Sequence, residues 1–221
     1  MTLRLALARA SHVLRQEGAR SLWFKILGET VYRRLLLLER DLQEPIPEVT
    51  VRLPVAIGLL KKTEIAAYVQ LRTDADAAAI RSRLDGGQVC FAARHRGGLV
   101  STSWAATNRV WIDYLARELP LAADEVYCYD SFTDEAFRGW GLDAARTAEK
   151  LRYFRRAGYR RAVCVVSPEN RASLRSCAKV GYRFSGLIGY VRIGPWTWHF
   201  CRVGHRPAKP WRLSAGERDT G

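Results

Sequence analysis

The stretch FRGWGLDAARTAEKLRYFRRAG, residues 137–158, decides how the chain is read. Two glycines, Gly139 and Gly141, stand one residue apart beside Arg138, and a helical pattern starts at once. From Leu142 the apolar positions Ala145, Ala148, Leu151 and Phe154 recur at a helical interval, and Gly158 supplies a C-terminal stop. Arg146, Lys150, Arg152, Arg155 and Arg156 lie among them, which predicts an amphipathic helix with a strongly basic exposed side. A glycine turn leading from a strand into a helix aims several backbone N–H groups at one spot, beside the positive end of the helix dipole. A phosphate or pyrophosphate can be held there without side chains; the plain alternative is a turn and nothing more. The turn lacks the G-K-[ST] of a P-loop, and Ala144 stands where G-x-G-x-x-G needs its third glycine, which argues against kinase and dinucleotide chemistry.

Working outward, residues 126–133 read as the strand that enters this turn. RRAVCVV (160–166) is a nearly continuous apolar run, as expected of a strand buried on both faces, so strand, helix and strand form a parallel crossover. SPENRASLRSCAKVG then gives a second helix, opened by Asn170 and ended by Gly181, and YRFSGLIGYVRI and WTWHFCR are the last strands. On the other side, QVCFAARH and GLVSTSWAAT are two strands joined at Arg96-Gly97-Gly98, with RVWIDYLA as a third, so the middle of the chain reads as an antiparallel meander. Before them come VTVRLPVAIG as a strand with an edge proline and KKTEIAAYVQLR and TDADAAAIRSRLDGG as helices. EPIPE marks a break, because proline removes donors and restricts the residue before it. The expected division is an N-terminal helical extension (1–48), a main domain (49–205) and a mobile polar tail (206–221).

The 221 residues carry 36 Lys and Arg against 22 Asp and Glu, a formal charge of +14 and a pI near 10.1. That excess favours polyanions, acidic membrane surfaces or phosphate-bearing ligands without choosing among them. Five scattered cysteines with no C-x-x-C pair point to a reduced, cytoplasmic protein with neither a zinc site nor a disulfide framework. No apolar run approaches the roughly 20 residues of a membrane span, and no secretory signal is expected. Residues 1–42 mix Arg with Leu, Trp and Phe at loosely helical spacing, which fits short helices packed on the domain or a segment lying on an anionic membrane.

R-G-W-G-L after one strand, and Asn170, Ser173, Lys179, Gly181 and Tyr182 after the next, together resemble the GNAT superfamily of acyl-CoA-dependent N-acyltransferases. Members carry [QR]-x-x-G-x-[GA] at the pyrophosphate loop and roughly N-x-x-[AS]-x-x-x-Y-x-K-x-G-F on the later helix. The motifs span residues 126–184 here, and the element order from about 49 to 202 fits the same fold. The resemblance implies an α/β (α+β) fold, with a mixed, mostly antiparallel sheet and a parallel β-α-β crossover at the CoA site. It implies acetyl-CoA as co-substrate, no metal, and a small-molecule amine as acceptor. The main chain of Ser131, Phe132 and Thr133 would pair with the pantetheine arm. Backbone N–H groups of Arg138, Gly139, Trp140, Gly141 and Leu142 would hold the pyrophosphate. Asn170, with Ser173 nearby, would contact the pantetheine, and the basic helix surface would meet the CoA 3′-phosphate.

Three positions depart from the family pattern. Asp143 stands where Gly or Ala is usual; it would face the pyrophosphate unless turned away, and a first-turn acid also complements the helix dipole. Cys177 replaces the tyrosine that often protonates the departing thiolate, as a catalytic thiol or as buried filler. Val165 occupies the strand position where some relatives carry a basic glutamate. Asp130 is then a candidate base or acceptor anchor, or a structural hydrogen-bond acceptor, and His199 a candidate base or a packed core residue. Positioning alone, with solvent taking the amine proton, also suffices for this chemistry. Trp104, Tyr114, Tyr129, Tyr190 and Trp198 are candidates to line an acceptor cleft, with neutral or acidic amines such as amino sugars favoured by the positive charge. Two other classes stay open: an inactive GNAT-like module binding nucleic acid, and a long-chain acyltransferase docked on a membrane through residues 1–42.

Overall fold

The computed structural model describes residues 32–107, 110–112, 117–119, 121–193 and 195–203. In chain order the elements are β1 (Tyr32–Asp41), β2 (Ala56–Leu59), α1 (Ile65–Leu71), α2 (Ala77–Asp85), β3 (Val89–His95) and β4 (Gly98–Ala106). They continue with β5 (Val110–Ile112), β6 (Arg117–Leu119), β7 (Glu125–Thr133), α3 (Leu142–Arg156), β8 (Arg161–Val166), α4 (Arg171–Lys179), β9 (Arg183–Ile193) and β10 (Trp196–Val203). Eight strands form one sheet in the order β10-β9-β1-β8-β7-β4-β3-β2, and β5 and β6 pair separately. Among the described strands only β7 and β8 run parallel; the other pairings are antiparallel.

The sheet is covered on both faces. Ala144, Ala148, Leu151 and Phe154 of α3 pack with Phe91, Val126, Cys128, Ala162, Cys164 and Val166 on one face. Ile65 and Tyr68 of α1 and Ile80 of α2 pack with Cys90, Ala92 and Trp104 on the other. Cys90 and Phe91 point to opposite faces because strand side chains alternate, and both are almost fully buried, as a central strand of a two-layered core requires.

Two expectations are corrected. Residues 32–41, read as helical, form β1, which pairs with β8 on one side and β9 on the other. Leucine and arginine favour helices by propensity, but Leu35–Leu38 supply the continuous apolar run of a strand buried on both faces, and tertiary pairing prevails. The expected boundary at residue 48 therefore falls within one body. RVWIDYLA, read as the third strand of the meander, contributes only β5 to the separate two-stranded sheet, and β7 takes its place beside β4. Residues 1–31 and the expected tail, 206–221, lie outside the described residues.

Candidate active site

The parallel pairing of β7 with β8 is short. Its partners are Glu125 with Arg161, Val126 with Ala162 and Tyr127 with Val163. Beyond them β7 stays bonded to β4 as far as Thr133, while β8 stays bonded to β1 as far as Val166. Residues 128–133 and 164–166 thus diverge, and a wedge opens in the middle of the sheet. The register between β4 and β7 shifts between Thr102 and Trp104, and Asp130 takes the left-handed backbone conformation, with φ of 49°. A non-glycine residue held there marks a bulge with stored strain, a feature concentrated at functional sites. The bulge puts Tyr129 and Asp130 together on the α1–α2 face, where Arg83 reaches both, and returns Ser131 to the α3 face, where Arg146 reaches it.

Above the wedge, the chain leaves β7 through a single 3-10 turn, Glu135–Phe137, and enters α3 at Gly141. Gly139 and Gly141 both have φ of 84°, which side-chain-bearing residues rarely adopt. A Cβ at Gly139 would meet nothing within 4 Å, so space lies open there, whereas at Gly141 it would press on the Thr50 carbonyl. The first N–H groups of α3 have no acceptor within the helix. The Arg138 N–H, expected to hold the pyrophosphate, is instead taken by the Glu135 carbonyl at 3.2 Å, because the 3-10 turn closes on it, so the candidate donors beside the wedge are those of Gly139, Trp140, Gly141 and Leu142. Arg138 folds back onto the Thr133 carbonyl and Glu135, and Trp140 is exposed.

On the inner side of α3 the structure corrects a further reading. Arg146 and Lys150, expected on the exposed basic side of the helix, are 0% and 1% exposed. The Arg146 guanidinium donates to Asp143, Ser101 Oγ, Ser131 Oγ and the Phe132 carbonyl. The Lys150 ammonium donates to Ser103 Oγ at 2.6 Å and approaches the Trp104 carbonyl at 3.5 Å. Ser131 Oγ in turn donates to Ser103 Oγ at 3.1 Å, which links the two cations across β7 and β4. The sequence signal lies in the small residues Ala144, Ala145, Thr147 and Ala148, which let α3 sink into the sheet on more than one side. Arg152, Arg155 and Arg156 do remain outside, the first and last of them paired with Glu149. Beside them a cleft of about 400 Å³ lies between residues 49–57 and α3, lined by Val49, Val51, Val55, Ala145, Glu149 and Arg152 among others.

Asp143 is turned toward Arg146 and Ser131 and away from an unopposed approach to the loop. Burial pushes its carboxyl up, but Arg146, Ser176, Lys150 and Ser131 together outweigh burial and hold it below the usual carboxylate range. Cys177, from α4, packs with Cys128 and Cys164 of the two diverging strands. The Cys164 thiol donates to the Cys177 sulfur; this bond, aided by Lys150, lowers the Cys177 thiol against the opposing effects of burial and Asp143 and pushes Cys164 up.

The three candidate catalytic residues are not brought together. Asp130 lies on the α1–α2 face with both oxygens taken, one by Arg72 and the other by Arg83 at 2.9 Å. Held by two guanidiniums, it takes the place of an ion-pair centre in the structure. His199 sits on β10, four strands from β7, roughly 19 Å at the usual strand spacing, against the Tyr190 ring. The Asn170 side chain accepts the Ser173 N–H at 3.0 Å and caps α4. Thr133 Oγ1 bonds Ser101 Oγ. Of the expected cleft residues, Trp104 is fully buried and bonded to Tyr68, Tyr129 bonds Gln88, Tyr190 is buried beyond β1 and Trp198 is exposed on the edge strand. Tyr114 lies outside the described residues. Sequence reasoning missed Arg72 and Arg83, which partner Asp130 from distant helical segments.

No protein-family model matches the sequence, and no curated protein is significantly similar to it. Solved structures do match. A GNAT-family acetyltransferase from Novosphingobium aromaticivorans DSM 12444 aligns at 17% identity over 71% of this chain and 63% of its own, with a TM-score of 0.51. The GCN5-related glucosamine N-acetyltransferase region of a fungal multi-domain GH3 beta-N-acetylglucosaminidase aligns at 14% identity over 82% of this chain, with a TM-score of 0.53. An N-acetyltransferase from Staphylococcus aureus Mu50 aligns at 16% identity, 57% coverage of this chain and 81% of its own, with a TM-score of 0.46. The chain spans 63% of the Novosphingobium structure and 22% of the fungal one. The chain has the GNAT N-acyltransferase fold.

Proposed function

We propose that this chain is an acyl-CoA-dependent N-acyltransferase, with acetyl-CoA as donor and the primary amine of a small molecule, such as an amino sugar, as acceptor. The observation that carries the reading is the wedge between β7 and β8, opening directly beneath the glycine turn at the start of α3. The residues fit the donor: Gly139 faces open space, Gly141 needs its left-handed backbone, and Asp143 is drawn aside by Arg146. N–H groups from Gly139 to Leu142 would take the pyrophosphate. The diverging edge of β7 at Ser131–Thr133 would pair with the pantetheine arm as an added strand does. The amine would then attack the thioester carbonyl, whose oxygen is stabilised by strand N–H groups, and the thiol would leave. Among the described residues no His, Cys, Asp and Glu cluster of metal-binding size occurs, and this chemistry draws on none.

Calorimetric titration of acetyl-CoA into the wild type, Gly139→Asp and Gly139→Asn tests the reading. Both side chains have room, and both tolerate a left-handed backbone better than most. The aspartate should weaken binding roughly tenfold more than the asparagine, because only it opposes the pyrophosphate's charge. Equal affinities in the two variants, or no binding to the wild type, would reject the site. An amine panel spanning amino sugars, amino acids and polyamines then assigns the acceptor.

A further inference from the structure

Burying an ammonium group is costly unless a counter-charge accompanies it. On the inner side of α3 the charges do not balance. Asp143 bonds Arg146 and feels Lys150 at longer range, while Lys150 itself donates to a serine hydroxyl and a carbonyl oxygen, so two buried cations share this carboxylate. Lys150 is 1% exposed, so bulk solvent screens it little. The chain Lys150–Ser103–Ser131 leads from this charge to the diverging edge of β7, where Ser131 is exposed. A fixed, dry positive charge beside an opening stabilises whatever anion forms there.

Building on the acyltransferase reading, we propose that Lys150 is a positioning residue for the transfer step, its ammonium favouring the negative charge that develops on the departing sulfur, with Cys177 as the proton donor to that sulfur. The amine nitrogen bonds to the thioester carbon, and the carbon–sulfur bond breaks with its electron pair left on sulfur. The Cys177 proton passes to that sulfur. The surplus proton of the amine goes to solvent, which returns one to Cys177. The groups facing Cys177 are Cys164 on β8, Asp143 and Lys150 on α3, and Ser173 on its own helix; Cys128 and Tyr182 complete the cluster through Cys164. Lys150 and the Cys164 thiol both favour the Cys177 thiolate, consistent with its lowered thiol.

Lys150→Met, close in volume, removes the charge and leaves the loop intact. Two readouts separate the Lys150 role from the donor assignment. Acetyl-CoA affinity should be unchanged while turnover falls about 100-fold, the order of effect of one nearby charge at an effective dielectric of about 20. Independently of any substrate, the pH profile of Cys177 alkylation by iodoacetamide, followed by peptide mass spectrometry, should move to higher pH. A folded Lys150→Met protein with wild-type turnover and an unmoved profile overturns the inference while leaving the acyltransferase reading in place. A wild type that does not bind acetyl-CoA overturns both. If Lys150→Met does not fold, the wild-type profile decides: a midpoint at or above the ordinary cysteine value of about 8.5 overturns the inference.

Discussion

Arg146 shows how a single side chain can carry opposite meanings in sequence and structure. Spaced along α3 among other basic residues, it has the look of a solvated face, yet it lies fully buried and ties Asp143 to Ser101, Ser131 and the Phe132 carbonyl. Arg146→Met would strand a part-buried carboxylate, so urea unfolding should show a loss of about 3–5 kcal/mol. The Asp143 carboxyl is held below its usual range in the folded protein, so its pairing contributes stability above the unfolded value near pH 4. That contribution disappears as pH falls through the lower folded value. Asp143→Asn should therefore be less stable than the wild type at neutral pH, with the gap closing below about pH 4 in acid titrations followed by circular dichroism. Nothing in the local sequence separates Asp143–Arg146 from an ordinary surface i, i+3 pair, because burial of Arg146 is set by β4 and β7, far away in the chain.

The element that reads most plainly is the strand–turn–helix at residues 126–158, and for a physical reason: its glycines, helical interval and basic stop are all local signals. The helix α4 is equally legible, since Asn170 is a local cap. The strand β1 is not, because its partners lie on β8 and β9 and only they decide that Leu35–Leu38 are buried on both sides. Leu37 is 2% exposed, and Leu37→Ala should cost about 2–5 kcal/mol by thermal unfolding. A side chain at Gly189 would collide with the Arg33 carbonyl and the Phe200 ring. Gly189→Ala should therefore disrupt the β1–β9 pairing far more than a surface substitution does, seen as lost hydrogen-exchange protection across both strands. The wedge is also illegible in sequence, since it arises where two pairings pull β7 and β8 apart.

At the scale of the whole molecule, a formal charge of +14 supplies an attraction that does not depend on any one contact. Acetyl-CoA affinity should fall severalfold between low and physiological salt, where screening reaches about 8 Å; calorimetry giving equal affinity at both would mean that the charge serves something else. The same scale sets the order in which the molecule can be completed. The strand β1, first of the described elements, finds its neighbours among the last: Asp41 pairs with Arg161, and Tyr32 with Val191. During synthesis its leucines emerge long before either partner exists, so the growing chain carries an adhesive segment that must be shielded until β8 and β9 follow. A ribosome that stalls between β1 and β8 leaves a fragment whose most sticky strand has no place to go.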